Sequence, residues 1–188
     1  MAPCRTVAAV ALIAAGVLFQ PPARAQSEAA ARKAILAIFA ARDSARQKKD
    51  LDGSLCNLSR EFVVVTSDGQ KGDAAYLKRR MGPLVSMAQD VKSRTSIVKF
   101  ASKGKSATDT SKVHIELIAM SGQTQMPQRY VVDATIVDSW VYADARWVES
   151  RMVTKSQTVT VNGKRVEAPR AKGKGPGAAR RPRMGGGK

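Results

Sequence analysis

Hydrophobic positions follow a helical period through most of the first half of the chain and a two-residue period from Val91 onward. Between Glu28 and Lys48, Ala31, Ala34, Ile35, Ile38 and Phe39 share one stripe at 100° per residue. Ser27 is placed to cap this helix, and Glu28 lies in its first turn. Arg42 falls in the middle of the stripe and Arg46 on its edge, whereas Arg32, Lys33, Asp43 and Lys48 point elsewhere. An arginine so placed near a helix end either snorkels to water or puts its guanidinium at the mouth of an internal pocket. A short second helix, capped by Asp50, carries Leu51, Leu55 and Leu58 at i, i+4 and i+7, with Cys56 as a buried thiol beside them. A strand over Glu61 to Thr66 and a turn at Ser67-Asp68-Gly69 follow. The third helix begins near Asp73 and turns Tyr76, Leu77, Arg80, Met81 and Leu84 inward, with Gly82-Pro83 expected to interrupt or kink it.

The second half reads as strands: Val91 to Ala101, Val113 to Met120, and two long runs, Tyr130 to Tyr142 and Arg146 to Thr160, joined at Ala143-Asp144-Ala145. The connections Ser102 to Ser111 and Ser121 to Pro127 read as polar loops, and Asn162-Gly163 as a turn before a frayed edge strand over Lys164 to Glu167. Each run of the hairpin is about twice the usual strand length, so the sheet must curve to stay packed. The expected fold class is α+β, a bent antiparallel sheet with helices in its hollow. In the strand from Val113, residues Val113, Ile115, Leu117 and Ala119 share one face, which leaves His114 and Glu116 on the other.

Both ends differ in composition from this domain, predicted to span 26–168. Residues 1–25 hold Arg5, the apolar run Val7 to Phe19 and Ala23-Arg24-Ala25, the pattern of a cleaved signal peptide; thirteen apolar residues are too few to span a bilayer. The expected location is therefore outside the cytoplasm, periplasmic or secreted, with no integral membrane segment after processing. Cys56 is then the one cysteine of the mature chain, which excludes an intramolecular disulfide. Residues 169–188 are rich in Gly, Pro, Lys and Arg and are expected to be a disordered basic tail, able to contact polyanions without a fitted site. Of 32 Lys and Arg, two lie in residues 1–25 and seven in 169–188, which leaves 23 against 15 acids and a net +8 for the domain.

The order of elements resembles the nuclear transport factor 2-like superfamily in its SnoaL-like branch. The residues that carry the resemblance are Ile38-Phe39-Ala40-Ala41-Arg42-Asp43, Lys49-Asp50-Leu51-Asp52, Phe62-Val63-Val64-Val65 with Asp68-Gly69, Tyr76, and Asp138-x-Trp140 followed by Arg146-Trp147. The resemblance covers residues 28 to about 160. It implies a cystatin-like cone, a curved sheet wrapped around N-terminal helices to enclose a pocket. Members of that superfamily include isomerases, dehydratases, cyclases and binding or dimerisation modules without catalysis, so fold alone does not give function.

Candidate pocket residues are Arg42, Tyr76, Asp138, Trp140 and Arg151. Isomerases of the superfamily use an Asp base beside a Tyr and a protonated carboxyl. Here Tyr76 would supply the hydroxyl and either Asp133 or Asp138 the carboxyl, the two acids facing opposite sides of their strand. Asp138 lies among Tyr130, Val132, Ile136 and Trp140, so it must sit at a wet strand end, pair with an arginine such as Arg42 or Arg151, or serve catalysis. A His–Asp dehydratase pair and a nucleophile triad both lack a suitably placed histidine, since His114 is the single one. One His and one mature Cys do not make a zinc site, and no Gly-rich phosphate loop precedes a helix, so no cofactor is expected. The reading is an exported small-molecule-binding or dimerisation module. Its partners would be a small acidic or apolar ligand and a second copy docked through the sheet; the alternative is an isomerase or hydrolase-like enzyme using a pocket Asp and Tyr.

Overall fold

The computed structural model describes residues 27–120 and 126–166, so the expected signal peptide and basic tail lie outside the described residues. The first helix, α1, spans Glu28–Gln47, with the Ser27 hydroxyl accepting from the Ala30 N–H as its cap. Its stripe is buried as expected at Ala31, Ile35 and Phe39. The short α2, Leu51–Ser54, ends before Leu55 and Leu58, because the chain turns at Asn57 into β1, Leu58–Val65. A two-residue strand β2, Lys71–Gly72, leads to α3, Ala74–Met87, capped by Asp73. Gly82-Pro83 does not interrupt α3, which runs on through both residues. Arg79, whose carbonyl the missing Pro83 N–H would have met, is exposed and open to water.

The rest of the described chain is a meander of β3 Ala88–Lys103, β4 Ser106–Met120, β5 Pro127–Ala143, β6 Arg146–Val161 and β7 Lys164–Val166. The strand order is β2-β1-β6-β5-β4-β3 with β7 also on β6; every pair is antiparallel except β1 with β6. The result is a curved, unclosed, mostly antiparallel sheet around the N-terminal helices. Two irregularities in the β5–β6 ladder, at Ser150 and Lys155, shift which residues of β6 face inward.

The 102–111 segment, expected to be a loop, is mostly strand: a tight turn at Gly104-Lys105 separates β3 from β4, which starts at Ser106. Its inward positions Ala107, Asp109 and Ser111 are small or polar, so the hydrophobic alternation begins only at Val113 although the buried face does not. At this end of the sheet Ala107, Trp140 and Trp147 pack on Ala31, Ile35 and Phe39, with Phe39 edge-on to Trp140 at 5.5 Å between ring centres. Toward the other end the hollow stays open beneath α3, which has no fully buried residue.

Candidate functional site

One turn beyond Phe39, Arg42 occupies the place on α1 where the next apolar side chain would stand, and it is 2% exposed. It does not snorkel, because the chain after α2 and strand β6 close over it. Its Nε and one terminal nitrogen donate to the Cys56 carbonyl at 3.0 and 2.7 Å, and the other terminal nitrogen meets Glu149 Oε2 at 2.5 Å. Its guanidinium carbon also lies 5.4 Å from the centre of the Trp140 ring, within cation–π range. Burial alone would lower the Arg42 pKa, but the Glu149 charge and hydrogen bond reverse this and raise it. Cys56 is half-buried and serves through its carbonyl.

Two more acids stand behind Arg42. Asp109 and Asp138 are direct neighbours across β4 and β5, and Trp140 is opposite Glu149 across β5 and β6. Asp109, Asp138 and Glu149 are 2%, 1% and 0% exposed. Asp109 accepts from Trp140 Nε1 at 2.7 Å and Asp138 from the Ser111 hydroxyl at 3.2 Å. One oxygen of each acid, Asp109 Oδ2, Asp138 Oδ1 and Glu149 Oε1, has no hydrogen-bond partner. Burial pushes Asp109 up to about 7, with the Trp140 bond pulling the other way and Glu149 adding to the rise. Asp138 is raised well above the carboxylate range by burial, then by the charges of Glu149 and Asp109. No group of side chains among the described residues is arranged to hold a metal ion.

Next to this cluster the hollow encloses a cavity of about 220 Å³, walled largely by aliphatic side chains such as Leu58, Val91, Leu117, Val132 and Met152. Arg42 and Arg46 reach its wall from α1, Arg80 from α3, and Ser54, Thr66, Thr154 and Gln157 supply neutral polar groups. Arg46 is 12% exposed and pairs with Asp43 at 2.8 Å. Its Nε has no partner, and burial lowers its pKa, Asp43 opposing that and Arg42 adding to it. Asp43 was expected to point away from the core. It is instead buried against β3, accepting from the Ser93 hydroxyl at 2.7 Å, the Thr95 N–H at 2.7 Å and the Thr95 hydroxyl at 3.0 Å. A concave sheet touches both flanks of α1, so the buried part of the helix is wider than its apolar stripe.

The sequence candidates therefore separate. Arg42 lines the cavity; Asp138 and Trp140 are buried behind it; Tyr76 and Arg151 are not on its wall. Tyr76 lies on the outer side of α3, its hydroxyl donating to Gln70 Oε1 and accepting from Arg80, each at 2.9 Å. Its ring covers Gly72 so closely that a Cβ there would come within 2.3 Å of it. Arg151 is exposed on the convex face, since it is the direct neighbour of the inward Met152, and the bulge at Ser150 turns Glu149 inward where alternation would have placed Ser150. On that face too, His114 Nδ1 and Asp133 Oδ1 are 2.7 Å apart, and Arg129 grips Glu116 with two bonds of 2.9 Å. Asp133, Asp138 and Tyr76 thus do not meet in one pocket. Glu149, Asp109 and Ser111 were missed; only the register of the sheet reveals them.

No protein-family model matches the chain, and no curated protein matches it. Solved structures do. A scytalone dehydratase-like protein from Novosphingobium aromaticivorans superposes with a TM-score of 0.59 at 13% identity, over 77% of this chain and 95% of that one. LinA superposes with a TM-score of 0.55 at 13% identity, over 71% and 87%. A nuclear transport factor 2-like protein of unknown function from Shewanella oneidensis does so with a TM-score of 0.50 at 12% identity, over 66% and 98%. The chain has the nuclear transport factor 2-like fold. At these identities the likeness extends to the fold and not to the chemistry. No helix among the described residues is long and apolar enough to cross a membrane.

Proposed function

We propose that the chain is a binding module for a small organic anion with an apolar body, held in the cavity with its charge toward Arg46 and Arg42. The observation that carries this reading is Arg46: a guanidinium almost removed from water, on the wall of a largely aliphatic cavity, with its Nε–H unused. A guanidinium so far removed from water is stabilised by an anion placed beside it in the cavity. A cavity of about 220 Å³ lies below the ~300–1,000 Å³ of drug-sized sites, so the ligand is small. The described wall carries no carboxyl, histidine or tyrosine side chain to move a proton on a bound molecule, which favours binding over the isomerase or hydrolase alternative. The proposal further places the module outside the cytoplasm, on the pattern of residues 1–25.

Calorimetric titration of the full chain with hexanoate and benzoate, each against its neutral amide, tests the reading. The acids should bind at least tenfold more tightly than the amides. Arg46→Met should remove that preference while leaving the fold, since Asp43 keeps its three bonds from Ser93 and Thr95. Equal affinity for acid and amide would refute the proposal.

A further inference from the structure

Arg42 belongs to two environments at once: it forms part of the cavity wall, and it is the counter-charge of a buried acid cluster that the cavity does not reach. The groups that surround it are Arg46 and Asp43 on α1, the Cys56 carbonyl after α2, Asp109 and Ser111 on β4, Asp138 and Trp140 on β5, and Glu149 on β6; β3 brings the hydroxyls of Ser93 and Thr95 to Asp43. Three carboxyls share one guanidinium, and each keeps an oxygen without a partner. The Asp138 and Glu149 carboxyls are also within hydrogen-bonding reach of each other. A carboxyl that carries a proton is a donor, and such a proton between two of these oxygens gives both a partner. The cluster is built to hold protons, with Arg42 as its link to the cavity.

We propose that the cavity binds its anion together with a proton, which is taken up by the Asp109, Asp138 and Glu149 cluster behind Arg42. The proposal rests on the anion-binding reading above and adds its regulation. Arg42 donates three of its five N–H groups to Glu149 and Cys56, so two remain for a ligand oxygen. An anion there divides the guanidinium charge between itself and Glu149, and the buried carboxyls lose part of their compensation. One of them restores neutrality by forming an O–H bond with a proton drawn from solvent. No bond within the ligand changes and no electron moves.

The sign follows from linkage. Binding raises the proton affinity of the cluster, so anion affinity is constant where the cluster is already protonated in the empty protein. It falls at higher pH, by up to tenfold per pH unit for one proton. Since Asp109 titrates at about 7, the fall begins there.

The experiment titrates the full chain with benzenesulfonate, whose charge does not change from pH 6 to 8.5, in two cationic buffers of unequal ionisation enthalpy. The expected result is a constant Kd from pH 6 to 7, a rise of several-fold to tenfold per unit above it, and uptake approaching one proton per anion. Asp109→Asn with Asp138→Asn, which mimics the protonated state, should bind at every pH with the wild-type pH 6 affinity and take up no proton. Benzenesulfonate binding with one Kd from pH 6 to 8.5 leaves the anion reading standing and overturns the coupling. No binding at pH 6 overturns both. A slope that persists in the double variant removes the cluster as its source, and the wild-type proton count decides the matter even if that variant does not fold.

Discussion

Stability should fall as pH rises from 5 to 8, opposite to the behaviour of a protein held by ordinary ion-paired aspartates. Asp109 has an ordinary value of 3.8 and is held at about 7 in the native state by burial, the Trp140 bond opposing and Glu149 adding. A carboxyl whose folded pKa lies above its unfolded value binds its proton more tightly when native. The native state is therefore favoured most at low pH and loses that advantage up to the folded value. Between 3.8 and about 7 this amounts to about 4 kcal/mol for Asp109, and Asp138 acts in the same direction. Of this, about 3 kcal/mol falls between pH 5 and 7, which for a domain of this size corresponds to a midpoint shift on the order of 10 °C. The half-buried Glu116 carboxyl, lowered by its bond to Arg129, works with the opposite sign but only at pH below the carboxylate range, outside this window. Thermal melts at fixed ionic strength, every half unit from pH 5 to 8.5, are the assay. The control is His114→Gln, which removes the exposed pair of His114 with Asp133 on the convex face and leaves the buried acids untouched. Asp109→Asn should differ least from the wild type at pH 5 and melt increasingly higher than it toward pH 8. A wild-type midpoint that is flat or rising from pH 5 to 8, or an Asp109→Asn profile as steep as the wild type, would show that the buried acids do not hold protons.

Two further outcomes test the packing around the site. Arg42→Met should cost about 3–5 kcal/mol in urea unfolding at pH 8, because it strands the buried Glu149 charge, and Arg42→Met with Glu149→Leu should recover most of it. Asp43→Ala should cost on the order of 2–4 kcal/mol by the same measurement, since three bonds from β3 lose their acceptor at once; a cost no larger than that of an exposed residue would mean that α1 is not tied to β3 there.

Much of the architecture was legible in the sequence because it depends on local rules. Ser27, Asp50 and Asp73 each stand one residue ahead of a helix and accept from its first turn, as their side chains allow. The length of the hairpin foretold curvature, and β5 and β6 reach 17 and 16 residues. The period of α1 placed Arg42 on the buried stripe. It did not show that Arg42 is enclosed, since this depends on Cys56 and Glu149, residues 14 and 107 positions away.

The site itself was hidden by two features that break the periods used to read it. The first is the inward face of β4, where Ala107, Asp109 and Ser111 carry too little hydrophobicity to mark a buried strand and so read as loop. The second is the bulge at Ser150. A strict alternation backward from the inward Met152 puts Ser150 inside and Glu149 outside, with Arg151 excluded by the same count. The extra residue leaves Met152 on the cavity wall yet turns Glu149 toward Arg42. These two irregularities are connected, because an arginine on the apolar stripe of α1 is tolerable only if the sheet brings carboxyls to meet it. Once Arg42 is enclosed and not snorkelled to water, some carboxylate has to face it. Once α1 lies across β3 and Phe39 packs edge-on to Trp140, the cross-strand neighbours at that level are Asp109 with Asp138 and Trp140 with Glu149. Three acids for one cation exceed what neutralising Arg42 requires. The excess is what makes the cluster a place to hold protons and not merely an ion pair.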